Sequence, residues 1–529
     1  MSSEPLLNDG YRSQPIIYGS VASSTTNSSK AVSTDDNEHV HEKHGPIRTF
    51  FIICNLASIS LANTAVTGML IVGIPEIARQ LAILDYLLLW PLSISFLTSG
   101  SCLLAAGVIA DITNPKIISV AGAFLLGLSI IGGGLSHNGH WLIAARAVQG
   151  VAIAMCLPTS VVLLTASLPP GRRRNIGFST LNLATVVGQS IGLVLGSLVD
   201  YSPAGWRFGF YLCGAATIVL AISNCFVLPS GMSNSDFSWA RLVHDVDWIG
   251  VLISSASLGF FSYIFTKMAD RVDSIQQPEN VVILCSAILL IVMFFLWMHR
   301  QQRTGGVALI PNKLWTRLPF LAICVIVLLQ YAVIQSVEVY FSLFVQKIQL
   351  LPAKDASLRL IPNMLIGFIL NPIIGLAVQH VRIDYLLTIA SMLSAVAPFL
   401  LALTDPAWPY WYAEFWSMLL CGVAVDVTFT VAHLIVMDVF PLNMHALAGA
   451  VFNTASQIGF TGGLAVMALI SSACSKQMNG GIREDPESLL YGYRAVFWTC
   501  FGLMCLTSLV AAIGLHTVRK LGGRTHCMQ

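Results

Sequence analysis

Long apolar stretches recur along almost the whole chain and are separated by short polar segments. A helix needs about 20 mostly apolar residues to cross the hydrocarbon core of a bilayer. Stretches of that length predict fourteen membrane-spanning helices, at 50–74, 86–110, 117–136, 141–164, 176–199, 206–228, 248–266, 281–298, 319–344, 357–379, 384–403, 410–437, 446–472 and 492–515. The pattern therefore predicts an all-α polytopic membrane protein.

The composition strengthens this prediction. Of the 529 residues, 55% are hydrophobic and 10% are charged, and the mean hydropathy is +0.75. Soluble domains are about 25% charged, and surface-to-volume scaling gives them a polar shell that this chain lacks. The net charge of +2 provides no strong field that would attract nucleic acid.

The same pattern divides the chain into segments. Residues 1–47 are polar and rich in Ser and Thr, which predicts a disordered cytosolic tail. We predict one six-helix bundle within 48–228 and a second within 318–516. The segment 229–317 is predicted to be a linker with two extra spanning helices, and 517–529 a second cytosolic tail.

A weak internal repeat and the placement of basic residues agree with two bundles. Gly107-Val-Ile-Ala-Asp111 and Gly375-Leu-Ala-Val-Gln379 each end the second helix of a predicted bundle. Such repeats build a midplane binding site between two moving halves. With both termini inside, Lys and Arg are more frequent on the cytoplasmic side, as at 171–175 and 299–303.

Several sequence blocks carry a family resemblance. They are LIVGIPEIARQL, GVIADITNPK, LIAARAVQGVAIAMCLPTSV, GWRFGFYLCGA, DWIGVL, ALIPNKLW and LAGAVFNTASQIGFTGGLAV. Together they resemble the fungal fourteen-helix drug:H+ antiporters of the major facilitator superfamily. The resemblance implies two six-helix bundles plus two inserted helices. It also implies efflux of a drug, toxin or secondary metabolite by proton antiport with alternating access.

The segment from Gly107 to Lys116 is similar to the loop signature of that superfamily, G-x-x-x-D-x-x-G-x-R/K. The resemblance implies a conformational latch formed by Gly107, Asp111 and Lys116. A solvated loop aspartate is the alternative interpretation. Asn114 stands where the family usually has Gly, and Asn also tolerates a positive φ.

Arg146 lies inside the predicted fourth helix. A guanidinium near the bilayer interior costs about 2.5–3.5 kcal/mol on insertion scales, so such a residue normally faces a partner or water. Arg146 resembles the fourth-helix arginine of proton-coupled antiporters, which implies a role in tuning proton binding. The alternative is an arginine that snorkels from near a helix end.

Carboxylates in the second predicted bundle are the candidate proton carriers. Asp426 lies near the middle of predicted helix 12, and Thr430 and His433 follow on the same face. An ionised carboxylate at that depth is costly unless it is paired or hydrated, so Asp426 is suited to bind and release a proton. His433 is a candidate relay, and Glu338 is a second candidate proton site. The alternatives are a hydrogen-bonded structural pair for Asp426 and a residue of the outer mouth for Glu338.

Amide side chains within the apolar runs predict a substrate cavity. The candidates are Asn63, Gln189, Gln330, Asn453 and Gln457. Asn63 occupies a region where many family members have an aspartate, and an amide cannot titrate. Gln189 replaces the proline of the antiporter signature G-x-x-x-G-P-x-x-G-G, and Leu193 replaces one of its glycines.

Glycines recur every four residues in the same predicted helix, at Gly188, Gly192 and Gly196. Small residues at this spacing form a smooth stripe along one helix face, which allows a neighbouring helix to approach closely. The stripe therefore predicts tight packing of the fifth helix within its bundle.

Several function classes are excluded or set aside. No G-x-x-x-x-G-K-[ST] sequence is present, which excludes transport driven by ATP bound to a P-loop in this chain. The predicted loops contain no nucleophile paired with a base and no cluster of metal ligands, so we expect no enzyme activity, no cofactor and no metal. The tail histidines His39, His41 and His44 lack a rigid frame for a metal.

The expected partners are a small-molecule substrate, protons and the lipid bilayer, with the chain acting as a monomer. Proton-coupled or facilitated uptake of a nutrient, an iron chelate or ammonium is the main alternative to export. A membrane sensor that transports nothing is a remote one. The plasma membrane is the expected location, although Glu4-Pro5-Leu6-Leu7 resembles a dileucine signal for vacuolar or endosomal membranes.

Overall fold

The structure is a computed structural model of the 529-residue chain. It describes residues 46–84, 87–168, 172–197, 205–229, 247–270, 277–304, 318–377, 381–439, 445–479 and 486–516. The predicted tails lie outside the described residues, apart from the first two residues of α1.

Fourteen helices and no strand are present in those residues. They are α1 (Pro46–Gln80), α2 (Trp90–Ile112), α3 (Pro115–Gly134), α4 (Gly139–Ser167), α5 (Arg172–Ser197), α6 (Arg207–Val227), α7 (Trp248–Asp270), α8 (Pro278–Arg303), α9 (Leu318–Leu343, continued by a π-helical turn Phe344–Ile348), α10 (Ala353–Ala377), α11 (Ile383–Leu403), α12 (Glu414–Cys421 and Val423–Val439, interrupted at Gly422), α13 (His445–Asn479) and α14 (Pro486–Gly514).

Within the described residues, twelve of these helices are long and apolar enough to cross a membrane. The other two are α2 and α7. Several side chains of α7 lie outside the described residues, and α2 carries the hydroxyl side chains of Ser93, Ser95, Thr98, Ser99 and Ser101. The protein is therefore a multi-pass helical membrane protein with twelve candidate spans.

The helices form two bundles with the same internal order. In the first, α1 packs along α5 and α6, α2 along α4, and α3 along α4 and α6. In the second, α9 packs along α13 and α14, α10 along α12, and α11 along α12 and α14. Each helix of α9–α14 thus makes the contacts of the helix eight places earlier. The predicted boundaries at 48–228 and 318–516 remain predictions.

Glycines set the closest helix contacts in both bundles. A Cβ atom added to Gly192 on α5 would lie 2.0 Å from the carbonyl oxygen of Ala65 on α1. A Cβ added to Gly463 on α13 would lie 2.5 Å from Cα of Ala332 on α9. Both distances are far inside van der Waals contact, so a side chain at either position would force the two helices apart.

The bundles meet along two seams, α2 against α13 and α5 against α10. The inserted helix α7 packs on both α2 and α13, and α8 packs on α7. Ser255 Oγ on α7 donates a hydrogen bond to the carbonyl oxygen of Ser101 on α2 at 3.1 Å. The inserted pair therefore covers the α2–α13 seam from outside.

Two local predictions need correction. Helix α12 begins at Glu414 and not at 410, because residues 404–413 form successive turns that contain Pro406 and Pro409. The aromatic residues of this segment made it resemble a continuation of the apolar run. Asn114 has φ −81° and caps α3 by accepting a hydrogen bond from the Lys116 amide at 3.0 Å. It is a helix cap and not a turn residue with positive φ.

Candidate functional site

A cavity of about 220 Å³ lies between the two bundles. Its walls come from α1, α2, α4 and α5 of the first bundle and from α9, α10, α12 and α13 of the second. These are equivalent positions in the two bundles. The internal repeat of the fold therefore places one cavity at the centre of the molecule, with half of its wall from each bundle.

Six of the residues singled out from the sequence line this cavity: Asn63, Gln189, Glu338, Asp426, Asn453 and Gln457. Gln330 does not, because its side chain is fully buried and its Nε2 donates to Ser391 Oγ on α11 at 3.1 Å. The side chain of His433 lies outside the described part of α12, so its relay role stays a prediction.

Arg146 lies behind the cavity wall and is 1% exposed. Its Nε donates to the Pro91 carbonyl oxygen at 2.9 Å, and its Nη2 donates to Ser95 Oγ at 2.8 Å. Its Nη1 donates to Gln149 Oε1 at 2.7 Å. All three acceptors are neutral, so Arg146 is a buried cation held by hydrogen bonds, not a snorkelling residue.

Gln149 connects this guanidinium to the cavity. Its Nε2 donates to Oδ1 of Asn63 at 3.0 Å, and Asn63 lines the cavity. The guanidinium therefore reaches the cavity wall through neutral groups, directly through Ser95 and also through Gln149 and Asn63. A change in charge within the cavity can reach Arg146 through this hydrogen-bonded chain.

Glu338 on α9 faces the cavity and joins the two bundles. One carboxylate oxygen accepts a hydrogen bond from Gln189 Nε2 on α5 at 2.6 Å, and the other accepts from Asn363 Nδ2 on α10 at 2.7 Å. Glu338 is 3% exposed, and no Lys or Arg of the described residues forms an ion pair with it. Gln189, which departs from the antiporter signature, thus supplies the inter-bundle bond to this carboxylate.

Asp426 on α12 is the second carboxylate in the cavity wall. Its Oδ1 accepts a hydrogen bond from Asn371 Nδ2 on α10 at 3.0 Å. The oxygen of Asn371 in turn accepts from Asn182 Nδ2 on α5, so a chain of amides leads from Asp426 to the other bundle. Asp426 also lacks an ion-pair partner among the described residues.

Aromatic rings form another part of the cavity wall. Phe96 on α2 and Phe460 on α13 are stacked with their centroids 4.2 Å apart, and Tyr331 on α9 meets Phe460 edge to face at 4.7 Å. All three residues line the cavity. The cavity therefore combines an aromatic surface with a polar surface that carries carboxylates and amides.

Three amide atoms in the cavity wall have no hydrogen-bond partner among the described residues. They are the oxygens of Asn363 and Gln457 and the Nε2 of Gln335. Each of these side chains is at least nine-tenths buried. Leaving a buried polar group unpaired costs about 1–3 kcal/mol. A bound molecule with matching polar groups would remove that cost.

Beyond the cavity, further bonds join the bundles at the end of the molecule where α1 ends and α10 begins. Ser357 Oγ on α10 donates to the Leu193 carbonyl oxygen on α5 at 2.7 Å. Gln346 Nε2 donates to the Val72 carbonyl oxygen on α1 at 3.0 Å. These bonds hold the two bundles together at the end of the molecule that is predicted to be the outer side.

The predicted latch is only partly visible. Gly107 lies where α2 passes close to α4 and α13, and a Cβ there would lie 3.9 Å from the Cβ atoms of Pro158 and Ala450. The side chain of Asp111 lies outside the described part of α2. The latch therefore stays a prediction.

Sequence reasoning missed four amides that organise this site: Gln149, Asn182, Asn363 and Asn371. One signal for two of them was available. Asn363 and Asn371 are eight residues apart in an apolar helix, with Gly367 midway between them. This spacing places all three on one helix face, which is the face that meets Glu338 and Asp426.

Known proteins resemble the chain in sequence and in fold. The family model "Major Facilitator Superfamily" matches residues 56–464. "MFS-type transporter 1" of Pyricularia oryzae is 36% identical, over 91% of this chain and 86% of that protein. The "Low affinity ammonium transporter" of Saccharomyces cerevisiae is 26% identical, over 80% of each.

Solved structures agree on the fold. A proton-dependent oligopeptide transporter superimposes with a TM-score of 0.61 and 15% identity, covering 88% of this chain and 98% of the other. A bacterial homologue of Spinster in an inward-facing, occupied conformation gives 0.60 and 13%, covering 89% and 97%. From the match over most of its length and the two-bundle fold around a central cavity, the chain belongs to the Major Facilitator Superfamily and is a membrane transporter.

Proposed function

We propose that this transporter exports a small amphipathic molecule in exchange for protons by alternating access. The observation that supports this most directly is the pair of buried carboxylates, Glu338 and Asp426, in the wall of a cavity between two bundles. Each is connected through amides to α5 of the opposite bundle. A protonation change at either carboxylate therefore acts on bonds that hold the bundles together.

In this proposal Asp426 carries the exchanged proton and Glu338 is the second titrating site. An ionised carboxylate without a cation partner is unfavourable in a low-dielectric interior, so proton uptake or substrate binding stabilises it. Arg146 tunes the site through Gln149 and Asn63, and His433 relays protons. The latch at Gly107, Asp111 and Lys116 favours one conformation.

Relatives support export. "Major facilitator superfamily multidrug transporter mdr3" of Aspergillus fumigatus is 24% identical over 79% of this chain. We further propose that α2 and α7 also cross the membrane, giving the fourteen spans of the drug:H+ antiporter family. The protein would act as a monomer in the plasma membrane, or in vacuolar or endosomal membranes.

Uptake is the second candidate function, favoured by the similarity to the ammonium transporter. A deletion strain and an overexpressing strain separate the two when loaded with a panel of neutral, cationic and anionic amphipathic dyes. Export predicts that deletion raises the intracellular level of at least one dye. A lower level after deletion would support uptake, and no change for any dye would contradict the proposed export.

Proton coupling is tested with the exported dye in reconstituted vesicles under an imposed pH gradient. Asp426→Asn is expected to abolish gradient-driven flux while the protein remains folded, because an amide cannot bind and release the proton. Glu76→Gln, which removes a carboxylate at the end of α1 far from the cavity wall, is the matched control. Undiminished coupled flux in Asp426→Asn would remove Asp426 from the mechanism.

A further inference from the structure

The connection between α9 and α10 carries two of the bonds that join the bundles. Gln346, in the π-helical turn, donates to the Val72 carbonyl oxygen on α1 at 3.0 Å. Ser357 Oγ on α10 donates to the Leu193 carbonyl oxygen on α5 at 2.7 Å. The two donors lie on either side of a short connection but reach different helices of the first bundle. The position of this connection therefore decides whether both bonds can form.

The backbone of the connection departs from the common helical and extended conformations. A π-helical turn covers Phe344–Ile348, and Leu350 has φ 55°. Turns of this kind are rare, and positive φ is unfavourable for a bulky side chain, so such a backbone persists only where its surroundings hold it. The connection therefore needs contacts that fix its shape.

Three side chains supply these contacts in a closed ring. Arg359 Nη1 on α10 donates to Gln349 Oε1 at 2.6 Å and to Glu414 Oε2 on α12 at 2.7 Å. Gln349 Nε2 completes the ring by donating to Glu414 Oε1 at 2.7 Å. These three residues form the α10–α12 brace, which ties the connection to α10 and to the start of α12.

Charge strengthens the brace beyond what neutral hydrogen bonds would supply. Arg359–Glu414 joins two helices and its carboxylate is 1% exposed, whereas the pair Arg382–Asp384 lies within the start of α11. A buried carboxylate that loses its cation partner is strongly disfavoured. The Tyr410 hydroxyl also donates to the Arg359 carbonyl oxygen at 3.1 Å, and the guanidinium lies 5.3 Å from the Tyr410 ring centroid. Arg359 therefore has little freedom to move independently of α12.

We infer that the α10–α12 brace positions Gln346 and Ser357 against the first bundle, so that their two bonds form and break together. In the part of the chain that the structure describes, the cavity wall contains none of the three brace residues. They are therefore positioning residues for the conformational change and not part of the binding site. The inference rests on the movement of the bundles in the proposed function, but not on the direction of transport or on proton coupling.

The distance between the bundles at this end of the molecule tests the brace. Spin labels carried by non-canonical amino acids replace Leu135, directly after α3, and Tyr491 on α14, which are 53% and 47% exposed. Such labels leave the native cysteines in place. The purified full-length protein is measured in lipid nanodiscs by pulsed electron paramagnetic resonance. The ratio of short to long distances between the two labels reports how often the bundles are joined.

Charge reversal breaks the brace, and charge exchange restores it. Arg359→Glu places two carboxylates together and is expected to lower the ratio of short to long distances at least about fivefold, as the loss of two hydrogen bonds would. Adding Glu414→Arg restores the ion pair with its charges exchanged and should recover most of the ratio. Arg382→Glu breaks the pair at the start of α11 and should leave the ratio unchanged.

Two further variants distinguish positioning from a general loss of stability. Arg359→Lys keeps the charge but lacks the fork that reaches both acceptors, so it should lower the ratio about twofold or more even if Arg359→Glu does not fold. Gln346→Leu with Ser357→Ala removes the two bonds that the brace positions and should lower the ratio as far as Arg359→Glu does. Adding Arg359→Lys to this double variant should lower the ratio no further, because no bond is left to position.

Two results would overturn the inference. One is an unchanged ratio in folded Arg359→Lys protein, and the other is a further fall of the same size when Arg359→Lys is added to the double variant. Since the measurement uses neither a dye nor a pH gradient, both results leave the proposed export standing. Absent dye export together with a ratio that depends on the brace would contradict export and support the brace.

Discussion

The two bundles pack their helices in the same way, but they carry their buried charged side chains at different places. In the first, α5 lies on α1 through Gly188, Gly192 and Gly196, and in the second, α13 lies on α9 through Gly459 and Gly463. The charged groups follow no such symmetry. The first bundle holds the cation Arg146 behind the wall, whereas the second exposes Glu338 and Asp426 to the cavity.

This difference distinguishes the residues that set the helix packing from the charged residues that act at the cavity. Glycine stripes fix how closely equivalent helices approach, so both bundles need them. Charges at equivalent depth would instead neutralise one another across the cavity. Arg146 lies behind the wall residues Ser95 and Asn63, the second reached through Gln149, so the molecule retains a cation near the site without placing it in the cavity wall.

The largest expected effect concerns the shared packing plan. Gly192→Leu should prevent stable folding, because the new Cβ would lie 2.0 Å from the Ala65 carbonyl oxygen and backbone atoms must move. Overpacking costs about 1–3 kcal/mol where side chains can adjust, and a backbone clash exceeds that range. The yield of monodisperse protein and the thermal unfolding midpoint measure the effect.

The second bundle provides the matched pair. Gly463→Leu should be as damaging as Gly192→Leu, since a Cβ there meets the Ala332 backbone. Gly462→Leu is the control, because no heavy atom lies within 4 Å of its added Cβ. If Gly192→Leu proved as well tolerated as Gly462→Leu, the close approach of α1 and α5 would be refuted.

An intermediate effect is expected at the buried cation. Arg146→Lys keeps the charge but cannot hold the three acceptors that the guanidinium reaches, so about two hydrogen bonds are lost. Hydrogen bonds to charged groups contribute about 1.5–3 kcal/mol each, and we expect the free energy of unfolding to fall by about 3–6 kcal/mol. Denaturation in detergent measures this change.

Arg79→Lys is the control for Arg146→Lys. The Arg79 side chain is 76% exposed and pairs with Glu76, and exposed pairs contribute about 0–1 kcal/mol. An equal, small change at both arginines would show that the hydrogen bonds of Arg146 do not stabilise the bundle.

The smallest expected effect concerns the bond between the bundles. Gln189→Leu removes the donor to Glu338 and should shift the conformational equilibrium away from the state that contains this bond by about 1–3 kcal/mol. Spin labels at Leu84 and Leu350, which are 55% and 80% exposed, report this as a longer distance between the two labels.

The double variant Gln189→Glu with Glu338→Gln exchanges the donor and the acceptor of this bond and should restore the shorter distance. A double variant that stays as open as Gln189→Leu would contradict this bond as the closing contact.

Most of the helices could be predicted from the sequence, because a helix exposed to lipid appears there as a long apolar stretch. The failures have local causes. Before α12, the aromatic residues Trp408, Trp411 and Tyr412 continue the hydrophobic pattern but are not helical. The prolines in this segment interrupt the hydrogen bonding of the backbone. Fourteen spans were expected, whereas twelve helices of the described residues are candidate spans, and the hydroxyl-rich α2 is not among them.

The sequence pointed to the two carboxylates of the site but not to the amides that are hydrogen-bonded to them. Asp426 and Glu338 stand out because a carboxylate in an apolar run is costly. Asn182, Asn363 and Asn371 do not, since an amide in a helix has many possible partners. Their role depends on which helices meet, and pairing α5 with α10 requires the three-dimensional arrangement of both bundles.

The inserted helices make the two seams unequal for a molecule dissolved in the bilayer. Helix α7 lies across the α2–α13 seam and is joined to Ser101 by Ser255, while in the described part of the chain neither inserted helix packs along α5 or α10. We expect a lipophilic substrate that diffuses sideways out of the membrane to find one flank shielded and the other accessible. A substrate that enters from the lipid would then enter mainly at the α5–α10 flank.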